Sequence, residues 1–376
     1  MIAKFDVAVI GGGIVGLAHA WMAARRGLSV VLFDRSPRAE GATVRNFGMI
    51  WPIGQPSGEL YATALRSREL WLELDEQSVV KAAQCGSLHL AHHDDEHAVL
   101  EEFSSGGTHD CRLLSVAETL TAAPIANPTG LKGSMWSPTE LRVDPRVAAA
   151  SIAAWLESSQ GVTRHFGSPI AEVDNGNITA ADGRQWQAER IIICSGSDLK
   201  TLFPEVLASS GLRLCKLQML RTVAQTGSVH QDAHIASGLT LRHYTSFGHC
   251  PSLQKVKDRV AAQNPLLDRY GIHVMATRSD SGELILGDSH EYNDDISPFD
   301  KAEIDELILL ELQKIIQLQN WTIKERWHGV YAKHSSLPIF EAEPQPNLHV
   351  CVGPGGAGMT MSFGLADRSW NRWTGK

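Results

Sequence analysis

Gly11, Gly13 and Gly16 stand in the pattern G-x-G-x-x-G directly after the apolar run 7–10. That spacing serves the binding of a pyrophosphate. Gly11 permits a tight turn, Gly13 lets the backbone approach the phosphates, and Gly16 lets a following helix pack closely on the strand. The helix, opened by Ile14 and Val15, turns free N–H groups and the positive end of its dipole towards the phosphates. Asp34 ends a second β-branched run, where a carboxylate accepts from ribose hydroxyls, and Arg35 follows it. Ile14, Val15 and Arg35 join these residues as cofactor contacts. A dinucleotide is the expected ligand, with FAD and NAD both open at this point.

A second glycine-rich turn, "GPGGAGMT", contains Gly353, Gly355, Gly356 and Gly358 and leads through Met359 and Thr360 into a closing helix. Reduced flavin gathers anionic charge at its pyrimidine edge, and a helix N-terminus there stabilises it. This turn favours FAD; its plainer alternative is an ordinary strand-to-helix connection.

These residues need elements to hold them. Residues 5–34 have the length of a βαβ unit, with Gly27 stopping the helix. At "VDPR", Asp144 caps a helix with Pro145 in its first position, predicted to run to about Ser159 and stop at Gly161. Short strands at 170–173, 177–180 and 185–188, separated by "DNGN" and "ADGR", predict an antiparallel meander, and "RIIICSG" a further buried strand. Residues 201–325 carry the strands "GIHVMATR" and "GELILGDSHEY" and an amphipathic helix with Ile304, Leu307, Ile308, Leu312, Ile315 and Ile316 at helical spacing. A strand "LHVCVG" precedes the last glycines.

The 376 residues suggest two or three units at roughly 150 residues each. A net charge of −8 argues against nucleic acid and anionic membrane surfaces as partners. An anionic ligand must therefore meet local cations. The six cysteines, at 85, 111, 194, 215, 250 and 351, form no C-x-x-C pair and read as free thiols of a reducing compartment. With no signal segment and no run of about 20 apolar residues, the expectation is a cytoplasmic protein without a membrane span. "HLAHHDDEH", residues 89–97, has no closed ligand spacing and reads as a solvated surface, so no metal is expected.

In order and spacing, the N-terminal fingerprint, "RVDPR", "IIICSG" and "GPGGAGM" resemble the D-amino-acid oxidase, glycine oxidase and sarcosine oxidase superfamily along the whole chain. The resemblance implies an α/β (α+β) protein with a Rossmann-type FAD-binding domain and a second mixed-sheet substrate domain. The first would take residues 1–75, 140–200 and 326–376, the second 76–139 and 201–325. It further implies that Val162 meets the adenine, that Ser195 and Gly196 lie along the pyrophosphate, and that Arg45 and Asn46 of "GATVRNFGMI" approach the flavin. Monomeric sarcosine oxidases attach the flavin through a cysteine in the region matching "WHGVYAK"; this chain has none there, which implies non-covalent FAD.

In that same stretch the family commonly places an arginine that clamps an α-carboxylate. This chain has Tyr331 there, with His328, Lys333 and His334 around it. A bidentate clamp is thereby lost, and the polar groups suit a tetrahedral anion. The stretches "GATVRNFGMIWPIGQP", "KLQMLRT" and "GPGGAGMTMSFGLADR" resemble a subgroup associated with phosphonate breakdown. This implies hydride transfer to flavin from an aminoethylphosphonate-type amine, with or without an N-methyl group, and hydrolysis of the imine to phosphonoacetaldehyde. Oxygen is the expected electron acceptor. Tyr331, Lys333, His328, Arg221, Arg242 and His243 are the expected substrate contacts, and no acid or base is assigned. Glycine- or sarcosine-type oxidation, and 2-hydroxy-acid dehydrogenation, are the alternatives on the same scaffold.

Overall fold

The structure is a computed structural model that describes residues 2–225 and 233–375. The chain opens with β1 (Ala3–Ile10), α1 (Ile14–Ala24) and β2 (Val30–Asp34). β1 and β2 are parallel, with Val7 opposite Val30 and Ile10 opposite Phe33. Their continuous apolar character has a simple cause. Val7 and Val9 enter the core that α1 closes, while Ala8 and Ile10 enter a separate core on the other face.

α2 (Pro145–Gln160) begins where Asp144 Oδ1 accepts from the Arg146 N–H at 2.9 Å, and ends at Gly161, whose φ of 70° stops the helix. Strands Ile170–Asp174 and Asn177–Ala180 then form the expected meander with β3 (Gln185–Ile193). The two strands expected at 185–188 and at "RIIICSG" are one. The start of β3 pairs antiparallel with Asn177–Ala180, and its end runs parallel to the strand Leu348–Val352. The change of neighbours converts an alternating burial pattern into three consecutive buried isoleucines, which reads in sequence as a break.

Among the described residues the second sheet has nine strands, with β4 (Leu212–Thr222) paired on both edges. Beyond α3 (Ala302–Ile315), which buries Ile304, Ile308, Leu312 and Ile315, β5 (Ile323–His334) lies antiparallel along β4 from Leu212 opposite His334 to Arg221 opposite Glu325. Residue 326 thus falls inside a strand of the second sheet. The other edge of β4 pairs with Leu284–Gly287 and Glu291–Asn293. "GELILGDSHEY" is therefore two strands, interrupted at residues 288–290. Strands Met275–Arg278, His234–Ala236, Ser87–Ala91, Gly133–Ser137 and Arg112–Leu114 complete the sheet; one pairing, His234–Ala236 with Ser87–Ala91, is parallel.

β6 (Leu348–Val352) returns to the first sheet beside β3, and α4 (Gly358–Thr374) packs on α1 and on the helix Glu59–Glu76. The first sheet has eight strands. Among the described residues, no helix is long and apolar enough to cross a membrane. All six cysteines are free, and Cys351 is buried.

Candidate functional site

A cavity of about 1020 Å³ lies between the ends of β1, β2 and β3, the last glycine turn and the second sheet. That volume is at the top of the range of about 300–1,000 Å³ usual for small-molecule sites. Its lining includes Gly11, Gly13, Ile14, Val15, Asp34, Arg35, Arg45, Asn46, Ser195 and Gly196 on one side. It also includes Gly353, Gly355, Gly356, Gly358, Met359, Thr360, Tyr331, Lys333 and His243.

At the first turn the glycines divide their roles. A Cβ on Gly11 would sit 2.1 Å from the Cys194 carbonyl oxygen, and one on Gly16 only 1.8 Å from that of Gly11. Gly16 is therefore buried packing behind the cavity wall. Gly13 meets only Thr43 Oγ1 within 4 Å, and Gly196 meets nothing, so backbone is open to a ligand at both. Thr43 Oγ1 accepts from the Ile14 N–H at 3.0 Å and caps α1. This residue was missed in the sequence because it lies 29 positions from its partner.

Asp34 Oδ2 accepts from the Gly12 N–H at 2.6 Å and Oδ1 from the Ser36 N–H at 2.8 Å. The carboxylate is thus held against the turn, with lone pairs left for hydroxyl donors. Arg35 pairs with Asp198 at 2.8 Å and is largely exposed. Ser195 Oγ is buried without a partner. The Asn46 side chain bonds to the Ala42 and Thr43 carbonyls and to the Gly48 N–H, so it shapes the loop. Arg45 donates to the His328 carbonyl at 3.3 Å. Val162 is buried at the end of α2, its N–H on the Leu156 carbonyl, and does not line the cavity.

The second turn takes left-handed backbone at Gly353 and Gly355, φ 75° and 58°, and enters α4 at Gly358. The Thr360 hydroxyl accepts from the Trp51 N–H at 2.8 Å, and the Met359 carbonyl from Trp71 Nε1 at 2.9 Å. Lys333 forms a β-bridge to Pro354, tying β5 to this turn. Together, the open backbone at Gly13 and Gly196, the orphaned Ser195 hydroxyl and the helix N-terminus at Gly358 fit an extended FAD. Bound there, it would meet Asp34 and Ser195 with its nucleotide end and the last turn with its ring.

The expected substrate residues separate into two groups. Tyr331, Lys333 and His243 line the cavity. The Tyr331 hydroxyl is buried without a partner, and burial pushes its ionisation well above the ordinary tyrosine value. Lys333 donates to Tyr292 Oη at 3.3 Å, and burial lowers the pKa of its ammonium. His328, Arg221 and Arg242 lie outside the cavity, each committed to a carboxylate. His328 pairs with Asp300 at 2.9 Å; Arg221 lies between Glu283 at 3.2 Å and Glu325 at 3.5 Å; Arg242 pairs with Asp268. Sequence neighbours did not reveal these acids because the pairs form across the sheet or between loops.

The cavity also holds His273, Asp288 and His290, which the sequence reading passed over. Strands Met275–Arg278 and Leu284–Gly287 pair with Met275 opposite Gly287. The His273 and Asp288 backbones then exchange hydrogen bonds just beyond, at 3.3 and 2.9 Å. Burial holds all three cavity histidines below their ordinary pKa, His290 at about 4, and pushes the Asp288 carboxyl up. The histidines of residues 89–97 do not converge. His89 is buried in its strand against Trp51 and Phe247, His92 reaches the Asn127 carbonyl, and His93 caps a helix.

The sequence model of the family described as "DAO: FAD dependent oxidoreductase" matches residues 6–368. A glycine oxidase of Geobacillus kaustophilus is 26% identical over 211 residues, covering 52% of this chain and 56% of that enzyme. By such alignments the chain spans about half the length of the curated relatives it matches. The crystal structure of glycine oxidase from the same organism superposes with a TM-score of 0.78 at 19% identity, covering 99% of this chain and 95% of that one. That of L-proline dehydrogenase from P. horikoshii gives 0.79 at 19%, covering 100% and 94%. These likenesses establish the fold, and the family match establishes the cofactor class: the chain belongs to the FAD-dependent oxidoreductase family.

Proposed function

We propose that this protein oxidises the C–N bond of a small amine carrying a phosphonate, of the aminoethylphosphonate type with or without an N-methyl group. The observation that carries the reading is the cavity wall opposite the second glycine turn. Tyr331 and Lys333 stand there with His243, and the arginines of the cavity lining are Arg35 and Arg45, on other segments. A tyrosine, an ammonium and an imidazole offer separate donors to the three oxygens of a tetrahedral anion. An α-carboxylate is better served by a planar fork.

Bound FAD supplies the two-electron acceptor. Tyr331 and Lys333 hold the anion, and the buried wall around them excludes water from the reacting carbon. Burial disfavours the Lys333 ammonium, and an anion bound beside it would favour the charged form again. The oxidised product is an imine, which water hydrolyses to phosphonoacetaldehyde and the free amine, with oxygen reduced to hydrogen peroxide. The chain's residues position the substrate, and no acid or base is required if the amine arrives unprotonated.

A second reading is oxidation of glycine or sarcosine, favoured by the likeness to a glycine oxidase. Peroxide release over N-methyl-aminoethylphosphonate, aminoethylphosphonate, sarcosine, glycine and 2-hydroxyglutarate separates the two. We expect the phosphonates to give the highest kcat/KM. Faster turnover of glycine or sarcosine than of either phosphonate would overturn the assignment, and reaction of 2-hydroxyglutarate alone would make the substrate bond C–O.

A further inference from the structure

We infer that His243, His273 and His290 form a site for a divalent cation of borderline softness, such as Zn²⁺, Fe²⁺ or Co²⁺, in the wall of the substrate cavity, with Asp288 as its charge partner. One nitrogen from each ring lies within 4.8 Å of the other two. The ring centroids are 4.0 Å apart for His243 and His273, 4.3 Å for His243 and His290, and 4.9 Å for His273 and His290. His273 and His290 are 3% and 6% exposed. Both nitrogens of His273 are buried without a hydrogen-bond partner. Buried polar atoms are seldom left so, and a ligand shared by the three rings would satisfy them.

The surroundings are those of a metal-binding imidazole cluster. His290 Nδ1 faces the Gly271 carbonyl at 3.1 Å, so Nδ1 carries the proton and Nε2 presents a lone pair. Donation from the far nitrogen to a carbonyl is how proteins orient imidazole ligands. Asp288 Oδ1 is buried without a hydrogen-bond partner, 3.4 Å from His273 Nε2, and Oδ2 lies 3.8 Å from His290 Nε2. A carboxyl group set beside three imidazoles suits a bound dication, whose charge it can balance. Lys333 and Arg242 are the opposing charges nearby; Lys333 is directed to Tyr292 and Arg242 to Asp268, and neither is among the convergent ligands.

Metal–nitrogen bonds of about 2.1 Å require the rings to draw inward from their present spacing. Three imidazoles leave a coordination position open towards the cavity, and imidazole suits zinc, iron, nickel and copper more than magnesium or calcium. An anionic oxygen of the substrate would take that position; this role rests on the function proposed above, whereas the site itself does not.

The test uses FAD-loaded enzyme without a polyhistidine tag, dialysed against a chelator and then equilibrated with Co²⁺. We expect about one cobalt per chain with visible d–d absorption, displaced by Zn²⁺. His273→Ala and His290→Gln should each lower cobalt occupancy at least about tenfold with flavin content unchanged, whereas His349→Ala, in the separate group of Glu341, His349 and Cys351, should keep it. Cobalt well below one per chain in the wild type, or full occupancy in both cavity variants, overturns the site. A reading without variants comes from electron paramagnetic resonance of the Cu²⁺-loaded wild type. Coupling to several imidazole nitrogens supports the site, and an oxygen-only spectrum overturns it. No amine is used in any arm, so failure here and failure of the phosphonate reading are separate results.

Discussion

The hydroxyl of Tyr331 faces the second glycine turn, 3.5 Å from the place a Cβ would take on Gly356. It is buried and has no partner. A buried unpaired polar group costs about 1–3 kcal/mol, which an accepting ligand recovers. Tyr331→Phe should therefore raise KM about tenfold with kcat within about twofold. Steady-state kinetics decide; a fall in kcat at unchanged KM would put the hydroxyl in the chemical step instead.

Lys333 and Arg221 should behave oppositely. Lys333→Ala removes a charged donor from the cavity and should raise KM by about 10- to 100-fold, from the 1.5–3 kcal/mol typical of hydrogen bonds to charged groups. Arg221→Gln should leave KM unchanged, because Arg221 lies outside the cavity between Glu283 and Glu325. It should instead cost about 1–3 kcal/mol of stability, read as a lower Tm, because buried Glu283 loses one of its two cationic partners and keeps only Lys324. A KM effect from Arg221→Gln would bring this arginine back into substrate selection.

Gly16→Ala should yield protein with little flavin. The new methyl would sit 1.8 Å from the Gly11 carbonyl oxygen, forcing the turn away from the phosphates. FAD affinity should fall at least about tenfold, about 1.4 kcal/mol. The ratio of flavin to protein absorbance after gel filtration measures this. Gly248→Ala, where a Cβ meets nothing within 4 Å, is the control; equal flavin loss from both would detach the effect from the turn.

The first turn was legible because its chemistry is local: Gly11, Gly13 and Gly16 fall within six residues, beside their own strand and helix. The arginines were not. Arg221 meets Glu283 and Glu325 from two neighbouring strands, so sequence shows a free cation where the sheet makes an ion pair. His273, Asp288 and His290 failed for the converse reason. His273 lies between Ile272 and Val274, whereas Asp288 and His290 lie fifteen or more positions away in a break between two strands, and only the pairing of Met275 opposite Gly287 brings them together. Helix α2, by contrast, carried its start signal at Asp144 and Pro145 and its stop signal at Gly161 in the chain, and ends within a residue of expectation.

Acid should unfold the protein before it titrates most surface carboxylates. Burial lowers His19, His89 and His234 to about 3. His234 is also fixed as a neutral tautomer: Nε2 donates to the Leu141 carbonyl at 3.1 Å and Nδ1 accepts from Thr277 at 2.8 Å. Above pH 6.5 these groups are neutral in both states and cost nothing. As pH falls from 6.5 towards 3 the unfolded chain takes up protons that the native chain refuses. Each histidine then withdraws about 2 kcal/mol by pH 5. The buried Glu140 and Asp288 carboxyls, raised by desolvation, oppose this, but the histidines outnumber them. Tm should fall steadily between pH 6.5 and 5; a flat profile would mean these rings reach water.

Strand β5 is paired with β4 over its length, and Lys333 is bridged to Pro354 at the second turn. The backbone that carries residues 331 and 333 is thus fastened by main-chain bonds, which do not depend on what those side chains are. Single substitutions at those two positions therefore change the groups offered to a ligand while the strand that carries them stays in place.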